Sequence, residues 1–264
     1  MTATLEVKNV SKTFESDNGE RIQALAPANL GVEQGEFLSI IGPSGCGKST
    51  LFNVIGGMMP PDSGQIIVNG ESVSGPHKDI GMVFQEESTF PWRTVLDNVA
   101  FPLEIAGMAK TERLEKARHF IQLVGLNGFE DHFPHQLSGG MRQRTAIART
   151  LASEPRILLM DEPFGALDEQ TRLLLGDKLL KICDELNQTT MLITHNITEA
   201  VQLSDRVAVM SYRPGTIKQV IDIELPRPRG SELISTDKFA GYVGRIWEDL
   251  KLEADKGMKA AGAA

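Results

Sequence analysis

Short apolar runs bounded by glycine and polar residues dominate the first third of the chain. Residues 5–10, 21–25, 37–41, 65–69 and 80–84 read as strands. From about Glu86 to Ser153 the spacing becomes helical. In TERLEKARHFIQLVGL, Leu114, Ala117, Ile121 and Val124 share one helical face, with Thr111 as a cap in front and Gly125 as a stop behind. A second helix is expected from Ser138 through MRQRTAIARTLA until Pro155 ends it. Strands resume at 156–160, 190–194 and 206–210, with a helix over roughly 169–185 between the first two. Alternating strands and helices imply parallel pairing through crossovers, hence an α/β fold with a helical block inserted. Residues 237–250, with Phe239, Tyr242 and Trp247, read as a helix packed on the domain, and the tail MKAAGAA as a frayed end.

Composition narrows the setting. The 264 residues are 41% hydrophobic and 23% charged, ordinary for a soluble globular protein with a sizeable core. The apolar runs are far shorter than the ~20 residues that span a bilayer, and MTATLEVKNV alternates like a strand rather than a secretory signal. Membrane association is therefore expected only through a partner. The net charge of −8 argues against nucleic acid as the main partner, and against adsorption to an anionic bilayer. Cys46 and Cys183 lack metal-type spacing, which suits a reducing compartment. His132 and His135 have a metal-like interval but no further ligand nearby, and read as loop residues.

The chemistry begins at IIGPSGCGKST. A strand runs into Gly42-x-x-x-x-Gly47-Lys48-Ser49 and then into the helical TLFNVIGG, the context a phosphate-binding loop requires. Glycines 42, 45 and 47 let successive amides form an anion nest, and the helix adds its partial positive end. Lys48 supplies a full charge for β- and γ-phosphates, and the Ser49 hydroxyl suits Mg²⁺. Cys46, inside this loop at a helix N-terminus, is expected to have a lowered thiol pKa, so that alkylation would block nucleotide binding. The partner carboxylates come from RILLMDEP: a buried strand ending in Asp161, suited to the metal, and Glu162, free to polarise an attacking water. A solvated acidic pair at a strand end is the plainer alternative. In LSGGMRQR, Ser138 is a good cap on its own account, but two glycines in a first turn cost about 1 kcal/mol each against alanine. Amides that must approach an anion closely would explain that cost, and a second anion-binding helix start hints at a second molecule's nucleotide.

Over about residues 4 to 225 these motifs, in this order, resemble the ATP-binding-cassette (ABC) ATPase family. GPSGCGKST, including Pro43, Ser44 and Thr50, is similar to Walker A, ILLMDE to Walker B and LSGGM to the signature sequence. Gln85 matches the Q-loop, Phe164-Gly165-Ala166-Leu167-Asp168 the D-loop, His195 the switch histidine and Phe14 the aromatic that stacks on adenine. Met141 and Gly165 depart from the commoner glutamine and serine.

The resemblance implies a P-loop NTPase (RecA-like) core with a mixed sheet, an N-terminal antiparallel β-subdomain and an inserted α-helical subdomain. An ATPase domain over 1–230 would comprise core segments 1–85 and 156–230 and a helical subdomain 86–155, followed by a C-terminal extension 231–264. It further implies ATP and Mg²⁺ held between two subunits, with Ser138, Gly139 and Gly140 facing the other subunit's nucleotide. Glu162 would be the general base, His195 would contact the γ-phosphate, and Gln85 would link the metal, also held by Ser49 and Asp161, to the helical block. STFPWRTVLDNVAFPLEIAG, MSYRPGTI and LPRPR resemble importers of the nitrate, sulfonate and taurine type. Residues 89–95, with exposed Phe90 and Trp92, would receive a helix of an integral membrane permease, itself served by an extracytoplasmic substrate-binding protein. The subunit would sit peripherally at the cytoplasmic face of the inner membrane. Rival readings are a cassette subunit for a pyrimidine precursor or lipid, a soluble cassette protein acting on DNA or ribosomes, and a P-loop kinase, for which no phosphoacceptor site is visible.

Overall fold

The computed structural model describes residues 4–16, 18–85, 88–165, 167–227 and 229–262. Ala166 of the D-loop, Pro228 of LPRPR and the last two alanines of the tail lie outside the described residues.

Two sheets organise the chain. Strands β1 (Leu5–Glu15), β2 (Arg21–Val32), β4 (Ser63–Val68) and β5 (Glu71–Val73) form an antiparallel sheet in the order β2-β1-β4-β5. Strands β3 (Phe37–Ile41), β6 (Ile80–Val83), β7 (Ile157–Asp161), β8 (Thr189–Ile193), β9 (Arg206–Met210) and β10 (Ile217–Asp222) form the second, ordered β10-β9-β3-β8-β7-β6. Its neighbours run parallel except at the β9–β10 edge. Every position of β3, β7 and β8 is buried. A parallel strand covered on both faces has no polar face to show, which is why FLSII and ILLMD lack alternation. Ile40 and Asp161 both register with Ile193, so the chain leaves these three strands at one common edge.

Helix α1 (Lys48–Ile55) fills the space between the sheets, with Leu51 and Phe52 in one core with Val7, Leu38, Ile40 and Ile66. Helices α2 (Val95–Ile105), α3 (Lys110–Leu123) and α4 (Gly139–Ala152) form the inserted block. Its Val99, Phe120, Ile121 and Leu151 share a core with Leu158 of β7 and Leu179 of α5 (Glu169–Glu185). Helix α6 (Ile197–Leu203) and helix α7 (Asp237–Gly262) cover the far edge, where Phe239 and Ile246 bury against Val201 and Val207. No helix among the described residues is long and apolar enough to cross a membrane.

Local chemistry explains most boundaries. Thr94, Ser138 and Asp168 cap α2, α4 and α5 by accepting from the amides of Asp97, Met141 and Thr171. Helix α3 departs from expectation: Thr111 lies inside it, and Ala109 occupies the cap position without a side-chain bond. Gly125 does follow its end, at φ 69°. Helix α7 runs past 250 to Gly262, so most of the tail expected to fray is helical, and Trp247 on it is exposed rather than packed. Expected exposure also fails at Phe90, which is half-buried, its ring edge-on to Phe101 and beneath the Arg149 guanidinium.

The 89–94 turn that carries Phe90 hangs on one side chain. Asn98 is fully buried; its Oδ1 accepts from Phe90 N, and its Nδ2 faces the carbonyls of Phe90, Arg93 and Thr94 at 2.9–3.1 Å. Asn98→Ala strands these backbone groups without partners. It should destabilise the chain by about 2–3 kcal/mol, read by urea unfolding.

Candidate functional site

The phosphate loop is built by two residues with opposite demands. Gly47 takes φ 100°, a left-handed conformation that side chains rarely adopt, and a Cβ there would sit 2.7 Å from the Ala24 carbonyl. Lys48, the first residue of α1, is nearly buried. A buried ammonium without partners is costly, and this one donates to the carbonyls of Gly42 at 2.8 Å and Pro43 at 3.0 Å. The cation is thus held against its own loop, whose Ser44, Gly45 and Ser49 stay exposed.

Beside it, β7 delivers the carboxylates. Asp161 is 6% exposed, and its Oδ1 is a buried oxygen with no hydrogen-bond partner. Burial pushes its carboxyl above the usual carboxylate range; a hydrogen bond from Ser49 opposes the shift and nearby Glu162 adds to it. An orphaned carboxylate oxygen next to a serine hydroxyl is a hard-oxygen donor set, which fits Mg²⁺. Glu162 has φ 46°, left-handed for a residue with a side chain, and is locked by its amide to Ile193 O and its carbonyl to the Gly165 amide. The turn aims Glu162 Oε2 between Gln85 Nε2 at 3.5 Å and His195 Nδ1 at 3.1 Å.

Lys48, Ser49, Gln85 and Glu162 share a cleft of about 470 Å³ with Phe14, Ile22, Ala24, Ser44, Gly45, Gly47, Thr50 and Arg213, while Asp161 and His195 stand outside its lining. Phe14 stands on β1 opposite Ile22 of β2, with its ring partly exposed to the cleft. Ser138, Gly139, Gly140 and Asp168 are not among the lining residues. A Cβ at Gly140 would meet only the tip of the Leu167 side chain, which can move aside. One expectation is overturned: the Cys46 thiol is fully buried, and burial pushes its pKa up despite Lys48 nearby. Desolvation of the thiolate outweighs the loop's positive potential, so no reactive thiol results.

Sequence reasoning passed over two groups here. Glu199, from the first turn of α6, touches Thr194 Oγ1, which accepts from the Asn196 amide, so the carboxyl braces the loop bearing His195. Arg213, quoted only as part of MSYRPGTI, donates to Gly45 O. Neither lies in a phosphate-loop motif; Glu199 is a near sequence neighbour of His195, whereas only packing brings Arg213 to Gly45.

Comparison with known proteins gives a consistent picture. Residues 25–165 match the family model described as ABC transporter. An uncharacterized ABC transporter ATP-binding protein of Methanocaldococcus jannaschii is 51% identical over 259 residues, 98% of this chain and 96% of that one. The nitrate import ATP-binding protein of Synechocystis sp. is 47% identical over 222 residues, 84% of this chain and 83% of its own. Among solved structures, a dimeric ATP-binding cassette in a post-hydrolysis state with ADP and Pi superposes with a TM-score of 0.76. It shares 35% identity and covers 84% of this chain and all of that one.

The orphaned carboxylate sets a pH signature. A carboxyl whose pKa is raised in the folded state stabilises fully below the ordinary aspartate value of about 4 and loses that contribution as pH rises through the raised value. Nucleotide-free Asp161→Asn should therefore gain melting temperature relative to wild type as pH climbs from about 4 to neutrality, measured by thermal melts. A constant gap across that range would contradict the assignment.

Proposed function

The chain belongs to the ABC transporter family as an ATP-binding, ATP-hydrolysing subunit, and we propose that it powers import of a small anion such as nitrate, sulfonate or taurine. The observation that carries the catalytic half is the Glu162 carboxylate, held between Gln85 and His195 in one cleft with the phosphate loop.

In this reading the loop amides from Gly42 to Ser49 cradle the triphosphate, Lys48 swings from its carbonyls to the β- and γ-oxygens, and Phe14 stacks on the adenine. Mg²⁺, held by Ser49, Asp161 and Gln85, supplies charge neutralisation on the phosphates when bound. Glu162 takes a proton from the attacking water, and His195 steadies that carboxylate and reaches the γ-phosphate. Ser138, Gly139 and Gly140 meet the nucleotide of a second copy, with Asp168 at the same face; the dimeric cassette that this chain resembles supports this pairing. Phosphoryl transfer to water needs positioning and charge more than covalent chemistry, so this set suffices.

The importer half rests on the 89–94 turn. Trp92 is 72% exposed, its ring tilted by 35° at 5.6 Å from that of Phe90, which is itself backed by Phe101 and Arg149. A rigid platform under one protruding aromatic suits a protein contact, here a helix of the membrane permease. The permease would work with an extracytoplasmic binding protein, leaving this subunit peripheral at the cytoplasmic face of the inner membrane. The nitrate relative supports the anion class, and the acidic balance speaks against nucleic acid as a partner.

Glu162→Gln should keep ATP affinity, lose about a hundredfold or more in hydrolysis, and accumulate as an ATP-dependent dimer in size-exclusion chromatography. Rapid turnover by this variant would refute the general-base role. Trp92→Ala should fail to sediment with membranes bearing the permease, and wild-type vesicles should take up at least one of the three anions. Retained sedimentation, or uptake of none, would sink the importer reading.

A further inference from the structure

We propose that Arg213 is a nucleotide-binding residue, a second cation bracketing the phosphate loop, and that the C-terminal helix α7 sets its position. The proposal rests on ATP occupying the cleft described above.

The turn between β9 and β10 is bonded to strand β2 and lies against the phosphate loop. The Gly215 amide donates to Ala24 O and its carbonyl accepts from the Ala26 amide, both at 2.9 Å. A Cβ at Gly215 would fall 1.8 Å from the carbonyl oxygen of Cys46, so the two loops touch backbone to backbone. Within the turn, Ser211 N bonds Thr216 O, and Thr216 N bonds Ser211 Oγ. From this base the Arg213 side chain reaches Gly45 O with Nε at 3.3 Å and Nη2 at 3.2 Å. It lines the cleft with Phe14, Lys48 and Ser49.

The arginine is under-used where it stands. Among the described residues no carboxylate lies within ion-pair distance of it, and its one acceptor is a single carbonyl. A guanidinium presents five donors in a planar fork matched to phosphate oxygens. Lys48 holds the Gly42–Pro43 side of the loop and Arg213 the Gly45 side. The chemical class that completes both is the phosphate chain of a nucleoside di- or triphosphate.

Helix α7 fixes the neighbouring residue. Glu253, 1% exposed, accepts from the Tyr212 amide at 2.9 Å and pairs with Lys218 of β10 at 3.3 Å. The Tyr212 ring packs against Gly257, where a Cβ would come within 2.7 Å. One buried carboxylate thus ties both flanks of the Arg213 turn to the C-terminal helix.

The test uses the full chain, steady-state ATP hydrolysis and binding of fluorescent ADP. Arg213→Ala should weaken ADP binding and raise KM for ATP about tenfold, with the loss falling on KM more than on kcat, and Arg213→Lys should recover part of it. Glu253→Ala should raise KM in the same direction, and adding it to Arg213→Ala should change little more. Wild-type KM in Arg213→Ala overturns the proposal while leaving the ATPase reading intact; absence of ADP binding by the wild type overturns that reading itself. If Arg213→Lys is as impaired as Arg213→Ala and both melt earlier, the arginine is structural and the proposal fails. Fully additive effects of the two substitutions overturn the role of α7.

Discussion

Everything at this site follows from placing full charges at the dry end of a buried parallel sheet. Strands β3, β7 and β8 have no solvent-facing position, yet the chain continues from them into Lys48 and Asp161, both almost wholly covered. Desolvation makes each group unfavourable until something of opposite charge arrives. The lysine is quieted by carbonyls of its own loop, and the aspartate keeps one oxygen without a partner. In the function proposed above, a metal–triphosphate is the ligand that would satisfy both together. Binding energy is therefore stored in the apoprotein as incomplete solvation.

What was legible in the sequence was what is encoded locally. Strand β9 and helix α5 appear at the residues read for them, because an unbroken apolar run and a helical stretch between two strands are local signals. The phosphate loop and the Asp161–Glu162 pair were legible for the same reason. Helix α2 was hidden by the Pro102 inside it, and β10 by a burial pattern with a single buried position. The Cys46 thiol shows where local rules mislead: a helix N-terminus argues for a reactive thiolate, but burial in the core that holds Leu25 and Met210 pushes its pKa up. Phe90 was misread and Arg213 passed over because Arg149, over the one, and Gly45, beside the other, are remote in sequence.

The remaining elements behave as connections to this charged edge. The helical block shares a continuous apolar core with β7 and α5, so it is seated on the strand that presents the carboxylates. Its outer turn is held by Asn98 and backed by Arg149, which also bonds Ser88, three residues past Gln85. On the opposite flank, α7 packs through Phe239 and Ile246 on α6, the helix whose Glu199 braces the histidine loop.

The left-handed backbone at Glu162 has an evolutionary corollary. A residue with a side chain held there forfeits about 1–3 kcal/mol that glycine or asparagine would largely give back. Selection for thermostability alone would thus be drawn to replace the one side chain that faces both Gln85 and His195. Under the general-base role proposed for Glu162, heat tolerance and turnover pull this position in opposite directions, and stabilised descendants of the protein would find their gains elsewhere.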